Sequence, residues 1–166
     1  STQGLGEATA RLFAERGAAG IIITGRNRER GAAVAADLTA QGCTSHFVQA
    51  ELANLDDCQR IVAAAEQHFG SVHILVNAAA FTERSTIWDT TAAHWDQMMD
   101  INVRAPYFLI QGVTKIMQQT GSGGSIINIG STAAVAGNGP IPYCTAKAAI
   151  LGMTRAMAVE LAPRGI

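Results

Sequence analysis

Four short apolar runs punctuate the chain, and each is followed by a longer stretch with helical spacing. The runs are Ile21-Ile22-Ile23-Thr24, Ser45-His46-Phe47-Val48-Gln49, Val72-His73-Ile74-Leu75-Val76 and Ser125-Ile126-Ile127-Asn128-Ile129. The first is β-branched throughout, as suits a strand buried on both faces. Strands alternating with helices predict an α/β fold in which a parallel sheet carries helices on both faces. Helix boundaries are legible as well. Asn27 and Asn54 are placed to cap helices that run to about Gln41 and Phe69, with Gly42 and Gly70 as stops. Leu5, Thr9, Leu12, Phe13 and Arg16 recur by threes and fours before Gly17, and a long helical pattern runs from about Thr90 to Ile116. A last helix is predicted from about Tyr143 to Leu161, rich in small residues.

Chemistry concentrates after the fourth run. Tyr143 and Lys147 share a helix face, so the ammonium lies beneath the phenol and favours its deprotonated form. Ser131 precedes them on a glycine-rich loop at the carboxyl end of a strand, where open parallel sheets bind ligands. A hydroxyl donor beside a tuned phenol suits redox chemistry at a carbonyl or alcohol. Asn102 lies inside the long helical pattern, four residues before Pro106. Proline has no N–H for the carbonyl of Asn102, which is then free to hold a water. At the other end of the chain, Gly4 and Gly6 open a helix, an arrangement that lets a pyrophosphate approach the backbone N–H groups. Arg26 follows Gly25 at the tip of the first run, where an acidic residue would accept ribose hydroxyls and an arginine suits a 2′-phosphate.

Composition removes several classes. The 166 residues carry 12 basic and 13 acidic side chains for a net charge of −1, which gives no electrostatic case for nucleic acid or an anionic membrane surface. No apolar run approaches the length of a membrane span, so a cytoplasmic location is expected. The three cysteines and four histidines are dispersed, and no metal site is expected.

Ser131, Tyr143-x-x-x-Lys147 and Asn102, in this order around the strand runs, resemble the active site of the short-chain dehydrogenase/reductase family. The resemblance covers essentially the whole chain. It implies a Rossmann-like doubly wound parallel sheet and an NADP-preferring oxidoreductase, with NAD as the other possible cofactor. The expected catalytic set is Asn102, Ser131, Tyr143 and Lys147. The expected cofactor set is Ser1, Gln3, Gly4, Leu5, Gly6, Arg26, Glu51, Leu52, Asn77, Ala78 and Ala79, with Tyr143 and Lys147. Gly4 and Gly6 match the last two glycines of the family's phosphate turn. Glu51-Leu52 stands where the family has Asp-hydrophobic against the adenine. Asn77-Ala78-Ala79-Ala80 matches its Asn-Asn-Ala-Gly turn with alanine for the glycine, which would be strained at a positive φ. The resemblance further implies a small carbonyl or alcohol substrate and a homodimer or homotetramer. It reads residues 1–166 as a single domain that lacks the family's first strand and its C-terminal region. A non-catalytic dinucleotide-binding module that senses redox state or holds partners, and an inactive piece of a longer enzyme, are the rival readings. Nucleotide binding alone requires neither Ser131 nor the Tyr143 phenol, which favours an enzyme.

Overall fold

A computed structural model describes residues 2–121 and 123–166. Strand and helix alternate as the sequence predicts: α1 (Gly4–Glu15), β1 (Gly20–Gly25), α2 (Arg28–Ala40), β2 (Thr44–Gln49), α3 (Leu55–Phe69), β3 (Ile74–Asn77), α4 (Ala92–Met99), α5 (Ala105–Thr120), β4 (Ser125–Asn128), α6 (Ala133–Ala136) and α7 (Ile141–Leu161). The asparagine caps form as expected. Asn27 Oδ1 accepts from the Arg30 N–H at 2.8 Å and Asn54 Oδ1 from the Asp56 N–H at 2.9 Å.

The strands pair in two separate parallel ladders. β1 runs beside β2 with Ile23 opposite Phe47, and β3 beside β4 with Asn77 opposite Asn128. Among the described residues no strand joins the two pairs. Successive residues of β1 face opposite helix layers, as the period of two requires. Ile23 packs with Ala10 of α1 and Val34, Ala35 and Leu38 of α2. Ile22 turns to the other side, where Cys58 and Ile61 of α3 meet Ala105 and Leu109 of α5. Leu75 of β3 packs on that second cluster too, so α3 and α5 hold both strand pairs in a doubly wound arrangement. Burying a side chain such as Ile23 or Leu38 completely stabilises the fold by about 1.5–3 kcal/mol each.

Local expectations change in four places. The run Ile21-Ile22-Ile23-Thr24 does not reach full burial on both faces, since only Ile23 is fully buried in β1, and in the second strand pair Ile74 is 48% exposed and Ile127 40% exposed. Leu75 and Asn128 face α5 and α7, while the alternate residues Ile74 and Ile127 point the other way, where less packs against them. Leu5 and Leu12 of α1 are likewise half exposed, and the helix buries Ala10 instead. The pattern from Thr90 to Ile116 is not one regular helix. A π-helical turn at Asp100–Arg104 separates α4 from α5 without breaking the helical path, and Pro106, in the first turn of α5, has no N–H to give the turn before it. Between Ser131 and Tyr143 the chain forms the short helix α6, and α7 begins at Ile141, two residues before the expected start at Tyr143. Among the described residues no helix is long and apolar enough to cross a membrane.

Candidate active site

The carboxyl ends of the first strand pair gather the polar residues expected around a nucleotide. Gly4, at φ +57°, begins α1 in the left-handed region that favours glycine, and leaves the helix N-terminus bare of side chain. Thr2 is buried against the end of β1: a β-carbon at Gly25 would lie 2.8 Å from Thr2 Cγ2. Gln3 is the N-cap of α1 and its side chain makes no cap bond. Its Oε1 accepts instead from Arg30 Nη1 at 2.5 Å. Leu5 is exposed and Gly6 half-buried. Arg26 is largely exposed at the tip of β1, with Nη1 3.9 Å from Glu51 Oε2, so two expected cofactor residues form a loose ion pair. Leu52 follows Glu51 and packs against the cluster under α3 and α5. Ser1 lies outside the described residues. Arg30, beside Gln3, is a residue that the sequence reading did not single out. Its signal was a third arginine within five residues of Arg26.

The second strand pair and α7 build the other half. Asn77, Ala78 and Ala79 leave β3 at its carboxyl end, and Ala80 carries no strain, since no described non-glycine residue has a positive φ. Asn102 is 2% exposed inside the π turn. Its side chain clamps the backbone of Phe81: Nδ2 donates to the Phe81 carbonyl at 2.8 Å and the Phe81 N–H donates back to Oδ1 at 2.9 Å. Nδ2 also donates to Met98 Sδ at 2.8 Å. The loop that follows Asn77 is thereby tied to the helix pair α4–α5. Ser131 leaves β4 half-buried, with its Oγ accepting from the Ala133 N–H at 3.2 Å. Helix α6 then packs against α7.

Tyr143 and Lys147 stand one turn apart on α7, with Lys147 Nζ 5.8 Å from the centre of the Tyr143 ring, within reach of a cation–π contact. Lys147 is only 4% exposed. Nζ donates to the Ile129 carbonyl at 2.7 Å, which ties the lysine to the segment that carries Ser131. Burial pushes the Lys147 ammonium below its ordinary pKa, because a charge taken from water loses hydration that one carbonyl does not replace. Two further residues join here that the sequence reading placed only as strand and helix: Asn128 and Thr154. Asn77 Nδ2 donates to Asn128 Oδ1 at 2.9 Å, and Asn128 Nδ2 donates to Thr154 Oγ1 at 3.0 Å. Their signal was an asparagine ending each of two apolar strands, a residue type that strands disfavour.

Geometry therefore collects a hydroxyl, a phenol, a buried ammonium and a clamped asparagine at one end of the sheet. Comparison with known proteins agrees. A family model described as short chain dehydrogenase matches residues 1–166. The chain is 36% identical over 168 residues to dehydrogenase/reductase SDR family member 4 of Homo sapiens, covering 100% of this chain and 60% of that protein. It is 32% identical over 167 residues to the 3-oxoacyl-acyl-carrier-protein reductase FabG of Staphylococcus aureus, covering 100% of this chain and 68% of that protein. Among solved structures it is similar to a gluconate 5-dehydrogenase from Burkholderia cenocepacia in complex with NADP and tartrate, with a TM-score of 0.91 and 29% identity over 100% of this chain and 65% of that one. A blue fluorescent protein from a metagenomic library in complex with NADPH superposes with a TM-score of 0.93 and 34% identity over 99% of this chain and 67% of that one.

Proposed function

Since this chain belongs to the short-chain dehydrogenase family, we propose that it carries the cofactor and reaction site of an NADP(H)-preferring oxidoreductase acting on a carbonyl or secondary alcohol. The observation that carries this reading is the buried ammonium of Lys147, held by the Ile129 carbonyl beneath the Tyr143 ring. A fold without chemistry to perform gains nothing from burying an ammonium with a single carbonyl acceptor. The NADP and NADPH complexes of the solved relatives support the choice of cofactor.

The residues present fit such a cofactor. The bare helix start at Gly4 suits a pyrophosphate, and Arg26 a 2′-phosphate, with Gln3, Leu5, Gly6, Glu51, Leu52, Asn77, Ala78 and Ala79 around them. When bound, NADP(H) supplies or accepts the hydride. In the reducing direction the Tyr143 phenol gives its proton to the carbonyl oxygen as the carbon–hydrogen bond forms, and Ser131 donates a hydrogen bond to the same oxygen. Lys147 stabilises the phenolate left behind. One of its three N–H donors is engaged by Ile129, which leaves two for a ribose and a water. The Asn102 side chain is engaged in clamping Phe81 and reaching Met98, so its part in returning a proton to Tyr143 is assigned to its backbone carbonyl, which Pro106 cannot serve. Residues 1–166 form part of one nucleotide-binding domain, and the apolar side chains exposed on α5 and α7, Tyr107, Phe108 and Val159, suit a homodimer or homotetramer of the longer protein.

The test is NADPH oxidation by the full-length protein with a panel of ketones and aldehydes, repeated with Tyr143→Phe. Loss of turnover by about a hundredfold or more is expected, with NADPH binding retained. Unchanged rates in the variant would remove Tyr143 from the mechanism.

A further inference from the structure

Helix α7 touches the end of β4 at two polar points, made by the last residue of the strand and the residue that follows it. Ile129 offers its carbonyl to Lys147 Nζ, and Asn128 offers its side-chain amide to Thr154 Oγ1. Lys147 and Thr154 are seven residues apart, so they stand on one face of the helix, two turns and about 10 Å from each other. Asn128 is itself held by Asn77 across the ladder, and the Ile129 N–H donates to the Asn77 carbonyl at 3.1 Å.

The polarity of this chain leaves it only one direction. Thr154 Oγ1 has a single proton, and donates it to the Ile150 carbonyl one turn back at 2.7 Å. It can therefore only accept from across the gap, so Asn128 must present its NH₂ there. The Asn128 oxygen then faces Asn77, which must present an NH₂ in turn. All three side chains are half-buried, where an unmatched polar group is costly.

We infer that Asn77, Asn128 and Thr154 form a one-way hydrogen-bond chain that sets the roll and height of α7 against β4, making Asn128 and Thr154 positioning residues for Tyr143, Lys147 and Ser131. Two pins two turns apart fix a helix against both rotation and sliding, which one pin does not. The strand segment held by both pins leads directly to Ser131, two residues beyond Ile129. Hydroxyl, phenol and ammonium thus take their spacing from one small network. This inference rests on the reaction proposed above.

The experiment uses the full-length protein, with NADPH and whichever of cyclohexanone, acetophenone and ethyl acetoacetate the wild type reduces. Thr154→Val keeps the shape and removes the acceptor. It should lower kcat by about tenfold or more, with the KM for NADPH within about twofold, since small misplacements of reacting groups are expensive. Thr154→Ser should restore kcat. Asn128→Asp, which cannot donate, should lose as much as Thr154→Val, and the double variant no more than either alone. Hydrogen exchange gives a readout that needs no substrate: amides around Lys147 in α7 should exchange faster in Thr154→Val, with β1 and β2 unchanged. Wild-type kcat and wild-type exchange in Thr154→Val would overturn the inference, as would additive losses that the serine variant does not rescue. If Tyr143→Phe abolishes turnover while Thr154→Val leaves it intact, the positioning role fails and the proposed reaction stands. An inactive wild type with faster α7 exchange in the valine variant would separate them the other way.

Discussion

A lysine with 4% of its surface exposed and one carbonyl partner for its ammonium costs the fold free energy wherever it stays charged, and Lys147 meets that description. Its pKa is lowered by burial from the ordinary 10.5, so between the lowered value and 10.5 the unfolded chain holds a proton that the folded chain has released. The unfolded state binding more protons means that the contribution of this group to stability rises with pH through that window and is lowest below it. Lys147→Met removes the group without changing its bulk. The Tm of the full-length protein relative to this variant should therefore rise as pH increases toward 10.5, and a gap constant across thermal melts at several pH values would refute the assignment. Arg26 carries a different prediction. Arg26→Ala should lower kcat/KM for NADPH by about tenfold, the lower end expected for an exposed charge-assisted contact, and leave NADH within about twofold. Equal losses with both cofactors would show that Arg26 does not read the phosphate. Introducing an acid at Gly25 is not an equivalent experiment, since its β-carbon would enter Thr2.

Elements meet here at closer range than their sequences advertise. Helix α2 reaches β2 through Gly31, where an added β-carbon would fall 2.0 Å from Phe47 Cε2. Replacing this glycine by alanine improves helix propensity by about 1 kcal/mol, yet it overpacks the helix–strand contact by about 1–3 kcal/mol. Gly31→Ala should therefore lower stability on balance, and Phe47→Leu should recover part of the loss because it vacates the same space. Denaturant melts of the two single variants and the double variant provide the check, and additive losses would contradict it. The π turn at Asp100–Arg104 is the second element-level feature. Widening the ladder there is what turns Asn102 inward to clamp Phe81, an orientation that a continuous α-helix need not provide.

The molecule is held across its middle by helices rather than by strands. The ladders β1–β2 and β3–β4 are not paired with each other among the described residues, and α3 and α5 supply the apolar contacts that span them. Strand edges left unpaired expose backbone N–H and C=O groups that readily find other chains. Residues 1–166 expressed alone should consequently melt without a sharp cooperative transition or aggregate, and longer chains matching the length of the relatives should melt cooperatively. A soluble monomer of these 166 residues with a single steep transition and NADPH-dependent turnover would show that the helices suffice.

Local chemistry was enough to reveal the alternation of strand and helix, the caps at Asn27 and Asn54 and the pairing of Tyr143 with Lys147, because each depends on residues within a few positions of one another. Side-chain volume and propensity act at that range, so they can be read from the chain. Tertiary structure decided what distant segments do together. Arg26 meets Glu51, Gln3 meets Arg30, Asn102 grips Phe81, and Asn77 reaches Thr154 through Asn128 across 77 positions of sequence. It also decided that Leu5, Leu12, Ile74 and Ile127 stay half exposed, against their apolar character. Burial depends on which neighbour arrives to cover a face, and hydrogen-bond partners depend on which donor arrives at a lone pair. Neither is written in the residue itself.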